Sequence, residues 1–209
     1  ERVPQVLAQR LEDERGPSPL GSAIVPVRHL DADEHTDDDD DELDREAGGS
    51  SHQGVIAEVS DRVIYELDDL IREAQATPPA LLVVLDGIED PHNLGAILRT
   101  VDAAGAHGVI RQTRHSAPLG SATSKASAGA LAHVKIADVV NIARAVEELK
   151  DAAIWTVGLA GDAPQMYDKM DFTLPTALVL GAEGTGVRRL VRERCDFLAG
   201  IPMFGHLSS

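Results

Sequence analysis

Three turns in this sequence hold the side chains that could do chemistry. The first, DGIEDPHNLG over Asp86 to Gly95, follows the apolar run Leu81 to Leu85. It offers an amide, Asn93, and six residues later a guanidinium, Arg99. The second, GAEGTG over Gly181 to Gly186, offers one carboxylate, Glu183, among glycines that let a ligand approach the backbone closely. The third, PMFGHLSS from Pro202 to Ser209, ends in two hydroxyls. An amide, a carboxylate, a fixed cation with five donors and a hydroxyl can orient a polar, anionic substrate by hydrogen bonds. The second turn is G-x-x-G-x-G, and it comes late in the chain. It therefore matches neither the dinucleotide fingerprint nor a phosphate-binding loop ending in Gly-Lys-Ser/Thr. Six residues of helix turn through about 600°, so Asn93 and Arg99 do not share a face. Asn93 would act at the helix tip and Arg99 from the flank, and the tip itself would favour an anion such as a phosphate.

Other chemistries find little support. The eight histidines show no ligand-like spacing, so no metal is expected. His92, and after it His206, are candidates for a phosphate or base contact. The single cysteine, Cys195, excludes an internal disulfide framework, suits a reducing cytoplasm and reads as a core residue rather than a nucleophile. No run of apolar residues reaches membrane-spanning length, and no secretory leader is evident. The net charge is −16 over 209 residues, but Asp31 to Glu46 holds eleven acids and one base, so that segment alone accounts for −10. It reads as a solvated run, and net charge does not decide the partner.

The elements that must position these turns follow from periodicity. Val3, Val6, Leu7 and Leu11 form a helical stripe; Ala23 to Val27 and Gly54 to Val59 read as short strands around the acidic run and a Gly48-Gly49-Ser50-Ser51 connector. We read 1–60 as part of a small α/β RNA- or substrate-binding domain and 61–79 as a linker helix (Val63, Leu67, Leu70, Ile71) ended by Thr77-Pro78-Pro79. From Ala80 strands alternate with helices. Strands are expected at Leu81–Leu85, Val109–Ile110, Val134–Ile136, Ile154–Leu159, Ala177–Leu180 and Phe197–Ile201. Helices are expected from Pro91, with Asp90 as N-cap, to Gly105, and over Ser121–Leu131, Val139–Lys150 and Val187–Arg194. The class is α/β, a mostly parallel sheet covered by helices. Such sheets bind ligands at the carboxyl ends of their strands.

The residues of these turns carry a resemblance. LDGIEDPHNLGAILRT from Leu85, LVLGAEGTG from Leu178 and IPMFGHLSS from Ile201 resemble, in order, the three signatures of the SpoU-type RNA ribose 2′-O-methyltransferases of the SPOUT superfamily, whose fold is a trefoil knot. SKASAGA from Ser124 and HQGV from His52 also match, so the likeness covers about residues 50 to 209. It implies S-adenosyl-L-methionine as cofactor, an RNA ribose 2′-hydroxyl as acceptor and a cytoplasmic homodimer. Carried over by position, Asn93, Arg99, Glu183 and Ser209 are catalytic, and Leu159, Gly181, Ala182, Gly184, Ile201 and Met203 line the cofactor site. Arg188, Arg189, Arg192 and Arg194 beside the second signature could contact RNA backbone or could equally form a solvated face. The Gly-Ala-Glu-Gly and His-Gln-Gly forms resemble the enzymes acting on a guanosine of large-subunit (23S) rRNA; the tRNA guanosine enzymes and a non-catalytic RNA-binding scaffold of the same fold are the alternatives. A dinucleotide-dependent oxidoreductase is disfavoured, because the first strand lacks its fingerprint.

Two departures go with the resemblance. The family's third signature runs on into a helix that closes the knot, whereas this sequence stops at Ser209. The domain over 80–209 is thus expected to be C-terminally incomplete, with weak or absent cofactor binding as it stands. The acidic run over 31–46 has no counterpart expected in the family.

Overall fold

A computed structural model describes residues 63–204, with Arg45 alone upstream. The chain divides into two units, Glu1–Arg62 and Val63–Ser209, and only the second is described as a fold. The helix and strands expected before residue 60, the acidic run and the HQGV segment lie outside the described residues.

The second unit is a seven-stranded sheet in which every pairing is parallel. In chain order it runs α1 (Leu67–Ala76), β1 (Leu81–Asp86), α2 (Pro91–Ala103), β2 (Gly108–Gln112), α3 (Ser121–Ala126), β3 (Ile136–Val139), α4 (Ile142–Asp151), β4 (Trp155–Leu159), β5 (Gln165–Met166), β6 (Thr176–Gly181), α5 (Arg189–Arg194) and β7 (Phe197–Gly200). The spatial order is β3-β2-β1-β6-β4-β7-β5. β1 is apolar from Leu81 to Leu85 because it is buried on both faces, as a central parallel strand must be, and it ends on Asp86.

One face of the sheet is covered by α1, α4 and α5. Leu67, Leu70 and Ile71 of α1 meet Val146 and Leu149 of α4 over Leu82, Val84 and Val179. The segment read as a linker helix therefore shares the sheet's own core. The other face is covered over β1, β2 and β3 by α2 and α3: Leu94, Leu98 and Val101 pack on Val83, Leu85 and Val109. The two helices approach closely because α2 carries Gly95. A Cβ there would overlap Ala126 Cβ and stand 2.8 Å from the Ala126 carbonyl carbon and the Ser127 nitrogen.

The expected elements fall where periodicity puts them, with four main differences. The helix expected over 61–79 begins at Leu67 and ends at Ala76, and Val63, expected in its buried stripe, precedes it and is exposed. The small-residue helix from Ser121 stops at Ala126 and resumes as a 3-10 turn at Ala130–Ala132, because Ala128 (φ 50°) and Gly129 (φ 90°) adopt left-handed backbone between them. The third strand runs Ile136–Val139, two residues later than expected, and α4 accordingly starts at Ile142, where the Asn141 side chain accepts from Arg144 N. The two-residue strand Gln165–Met166 was not expected, for it has no periodicity to read.

Candidate active site

The chain leaves β1 toward β2 on one side of the sheet and leaves β6 toward β7 on the other. The loops after these two neighbouring strands therefore diverge, and a crevice opens at their carboxyl ends. Asp86 and Gly181 are register partners at that point. The first two signature turns begin on them.

On the β1 side, Asp90 caps α2 by accepting from His92 N at 2.9 Å, and Pro91 starts the helix with its φ already helical. Burial of Leu94, Leu98 and Val101 orients the helix so that Asn93, in its first turn, faces the second loop. On the β6 side the turn closes on itself. Gly186 N donates to Ala182 O at 2.8 Å, and a Cβ on Gly181 would overlap Gly186 and Val187 backbone. Gly184 (φ 79°) and Gly186 (φ 67°) hold left-handed conformations that suit glycine. The turn presents Glu183, whose Oε2 accepts from Asn93 Nδ2 at 3.1 Å. Two expected site residues 90 positions apart are thus in direct contact.

Arg99 is on α2 too, one and two-thirds turns further on. It is exposed and has neither a hydrogen bond nor an ion pair among the described residues, so it is not held by Asn93 or Glu183. The tip of α2 also differs from its expected role. The Asp90 carboxylate already occupies it, which disfavours a second anion there. His92 engages Asp90 through its backbone nitrogen, not its ring. Ser209 and His206 lie outside the described residues.

The expected cofactor residues divide into two groups. β6, β4 and β7 are adjacent, so the backbones after Gly181, Leu159 and Gly200 border one another. Leu159 and Ile201 line a cavity of about 760 Å³ on the half of the sheet that α2 and α3 leave uncovered, with Leu81, Leu178, Tyr167 and Phe172. Gly181, Ala182 and Gly184 stand at the Asn93–Glu183 turn, and Met203 is 55% exposed; none of these four lines the cavity. The lining is mostly apolar and fits the apolar parts of an S-adenosyl-L-methionine, and Gly184 and Gly186 leave open space beside the turn backbone.

A buried network not anticipated from the sequence holds the crevice. Asp86 is fully buried at the end of β1. It accepts from Arg188 N and Arg188 Nε, each at 2.7 Å, and Arg188 Nη2 donates to Gln112 Oε1 at 2.6 Å. One guanidinium thus ties the ends of β1 and β2 to the turn that carries Glu183. The available signal was an acid closing a run of five apolar residues, Leu81 to Leu85, since a buried carboxylate must be paired. Its partner, 102 residues away, has no local signature. Arg189, Arg192 and Arg194 are also paired, with Glu193, Asp162 and Glu147, at largely exposed positions. Cys195 is half-buried against the core, and burial, then the neighbouring Asp196, pushes its thiol up to about 11. A nucleophilic role is thereby disfavoured.

With this geometry in place, the comparisons are specific. The family model described as SpoU rRNA Methylase matches residues 80–209. The chain belongs to the SpoU rRNA methylase family. It is 47% identical over 171 residues to the 23S rRNA (guanosine-2′-O-)-methyltransferase RlmB of Pseudomonas aeruginosa, covering 80% of this chain and 68% of that one. It is 46% identical over 159 residues to the TrmH family tRNA/rRNA methyltransferase YacO of Bacillus subtilis, covering 76% and 64%. Among solved structures, the SpoU methyltransferase AviRb of Streptomyces viridochromogenes superposes with a TM-score of 0.61 at 29% identity, over 74% of this chain and 60% of that one. Its complex with AdoMet superposes at 0.57 and 33% identity, over 62% and 53%. The chain spans about two thirds of the length of the curated relatives it matches. The parallel α/β architecture of the SpoU family is the one found here; the segment that would close a knot lies outside the described residues.

Proposed function

We propose that the protein transfers a methyl group from S-adenosyl-L-methionine to the 2′-hydroxyl of a guanosine in 23S rRNA. The contact of Asn93 with Glu183 carries this reading. It joins the first two family signatures at the one crevice where an α/β sheet of this order accepts a ligand. The relatives named for 23S rRNA guanosine-2′-O-methylation, 47% identical in the case quoted, support the choice of substrate.

When bound, the cofactor supplies a sulfonium methyl, so the S–CH₃ bond breaks as the O–CH₃ bond forms and the hydroxyl proton leaves to an acceptor. A ribose hydroxyl is a weak nucleophile, and the chain's task is to position it in line and to help that proton away. Asn93 and Glu183 form a fixed amide–carboxylate pair that can hold the ribose. Arg99 stays charged at any working pH, so it acts as an orienting cation for the ribose and its phosphate rather than as a base. The proton then leaves through that phosphate or water. Ser209 completes the set. Gly181, Ala182, Gly184, Leu159, Ile201 and Met203 hold the cofactor by backbone and apolar contact. Residues 80–209 form the methyltransferase domain, 1–60 contribute RNA binding, and the working form is a cytoplasmic homodimer. No described helix is long and apolar enough to cross a membrane.

The test takes the protein expressed from its complete coding sequence. It is incubated with methyl-labelled S-adenosyl-L-methionine and unmodified 23S rRNA or tRNA, and labelled nucleosides are identified by mass spectrometry. Labelled 2′-O-methylguanosine from rRNA, lost in Arg99→Ala, is expected. Label from tRNA alone selects the tRNA reading, which the tRNA/rRNA designation of the Bacillus subtilis relative keeps open. RNA binding without label in either selects the non-catalytic scaffold.

A further inference from the structure

Thirteen lysines and arginines lie between Val63 and Phe204. Ten of them have a carboxylate within ion-pair distance: Arg72, Arg111, Lys135, Arg144, Lys150 and Lys169, and the four arginines of residues 188–194. Three have none among the described residues: Arg99, Arg114 and Lys125. All three are exposed, and all three belong to the layer built by α2, α3 and the loop between β2 and α3.

The elements that carry them pack on one another. Arg99 lies one turn beyond Gly95, on the flank of α2 that meets α3, and Lys125 precedes Ala126, the residue on which Gly95 closes. Arg114 sits in a loop fastened to the turn between β1 and α2. Ala117 N donates to Ile88 O at 2.8 Å, and His115 Nδ1 lies 3.5 Å from Glu89. That turn leads directly into Asn93. Ten cations have a carboxylate partner in place, and these three are the ones that no ion pair among the described residues holds. Unpaired cations are also the ones that bind a phosphate without first giving up a carboxylate.

We propose that Arg114 and Lys125, continuing from Arg99, form the track that binds the phosphate backbone of the substrate RNA, and that the arginine-rich α5 does not. This rests on the reading that the protein methylates RNA. The track positions the strand so that one ribose reaches the Asn93–Glu183 crevice; backbone contacts of this kind set register and carry no base specificity.

The test measures binding of unmodified 23S rRNA, and of an unrelated RNA of equal length, across a salt series. It compares the complete protein with Arg114→Gln/Lys125→Gln and with the paired-residue control Arg189→Gln. Each phosphate contact removed lowers the slope of log K against log salt by roughly 0.7 to 0.9. The double variant is expected to lose about 1.5 in slope on both RNAs, while S-adenosyl-L-methionine binding is unchanged and Arg189→Gln behaves as the parent. An unchanged slope in the double variant, or an equal loss in Arg189→Gln, overturns the track. Failure of the parent to bind or methylate RNA at all refutes the underlying reading instead.

Discussion

Asp86 and Arg188 make unequal use of each other, and that asymmetry can be measured. Asp86 is fully buried, whereas the Arg188 side chain is 50% exposed. Replacing Arg188 by Met leaves a carboxylate with no route to water, which costs about 3–5 kcal/mol when a buried pair loses one partner. Asp86→Asn leaves a guanidinium that can rehydrate and an amide oxygen that can still accept from Arg188 N. Its cost is the lost charge-assisted hydrogen bonding, about 1.5–3 kcal/mol. Arg188→Met should therefore be the worse variant by about 1–2 kcal/mol, and the double variant should cost less than the two singles together because no unpaired charge remains. Urea denaturation followed by circular dichroism reads this directly. With a slope of about 1–3 kcal/mol per molar urea, the midpoints of the two singles should separate by roughly 0.5–1 M. If Asp86→Asn is as costly as Arg188→Met, or the two effects simply add, the pair is not a buried clamp and the crevice is held by something else.

Three more perturbations follow from the same geometry. Gly95→Ala gains about 1 kcal/mol of helix propensity but forces a methyl into Ala126 and Ser127 backbone, so thermal unfolding should show a net loss of about 1–3 kcal/mol rather than a gain. Cys195, with its thiol pushed up to about 11, holds roughly two hundred-fold less thiolate at pH 8 than a free cysteine of pKa about 8.5; the greater nucleophilicity of a more basic thiolate offsets about tenfold of that, so it should react with a disulfide reagent about twenty-fold more slowly, and a comparable rate would place it outside the core. Burial raises Asp196, but hydrogen bonds from Thr156 N and Oγ1 and the nearby Lys150 outweigh it, and the carboxyl stays below its ordinary 3.8. Its stabilisation is then present in full above about pH 5 and is lost as pH falls through the lowered value, so the urea-midpoint gap between parent and Asp196→Asn should shrink from pH 7 to pH 3.

Much of the sheet was legible because its signals are local. Leu81–Leu85 declares a strand buried on both faces, and Asp90-Pro91 declares a helix start; both stand where expected. The misplaced third strand and the broken helix after Ser121 lie in short, alanine-rich stretches, where period 2 and period 3.6 are hard to tell apart. Asn93 and Glu183 were legible as types in unusual turns, but their contact is a product of β1 and β6 being neighbours, which no local pattern encodes. The same limit hid the Arg188 partner of Asp86. It also hid the ion pairs of Arg192 and Arg194, whose acids, at 162 and 147, come from other elements.

Transfer to a ribose hydroxyl can be read from the chemistry of RNA itself. Alkaline cleavage of RNA needs a free 2′-hydroxyl, so a ribose methylated there protects the linkage that follows it. The complete protein is incubated with 23S rRNA and methyl-labelled S-adenosyl-L-methionine, the RNA is hydrolysed in alkali, and the products are separated by size. The label is expected in dinucleotides beginning with guanosine. Label in mononucleotides would mean that a base, not a ribose, received the methyl group, and would contradict ribose transfer.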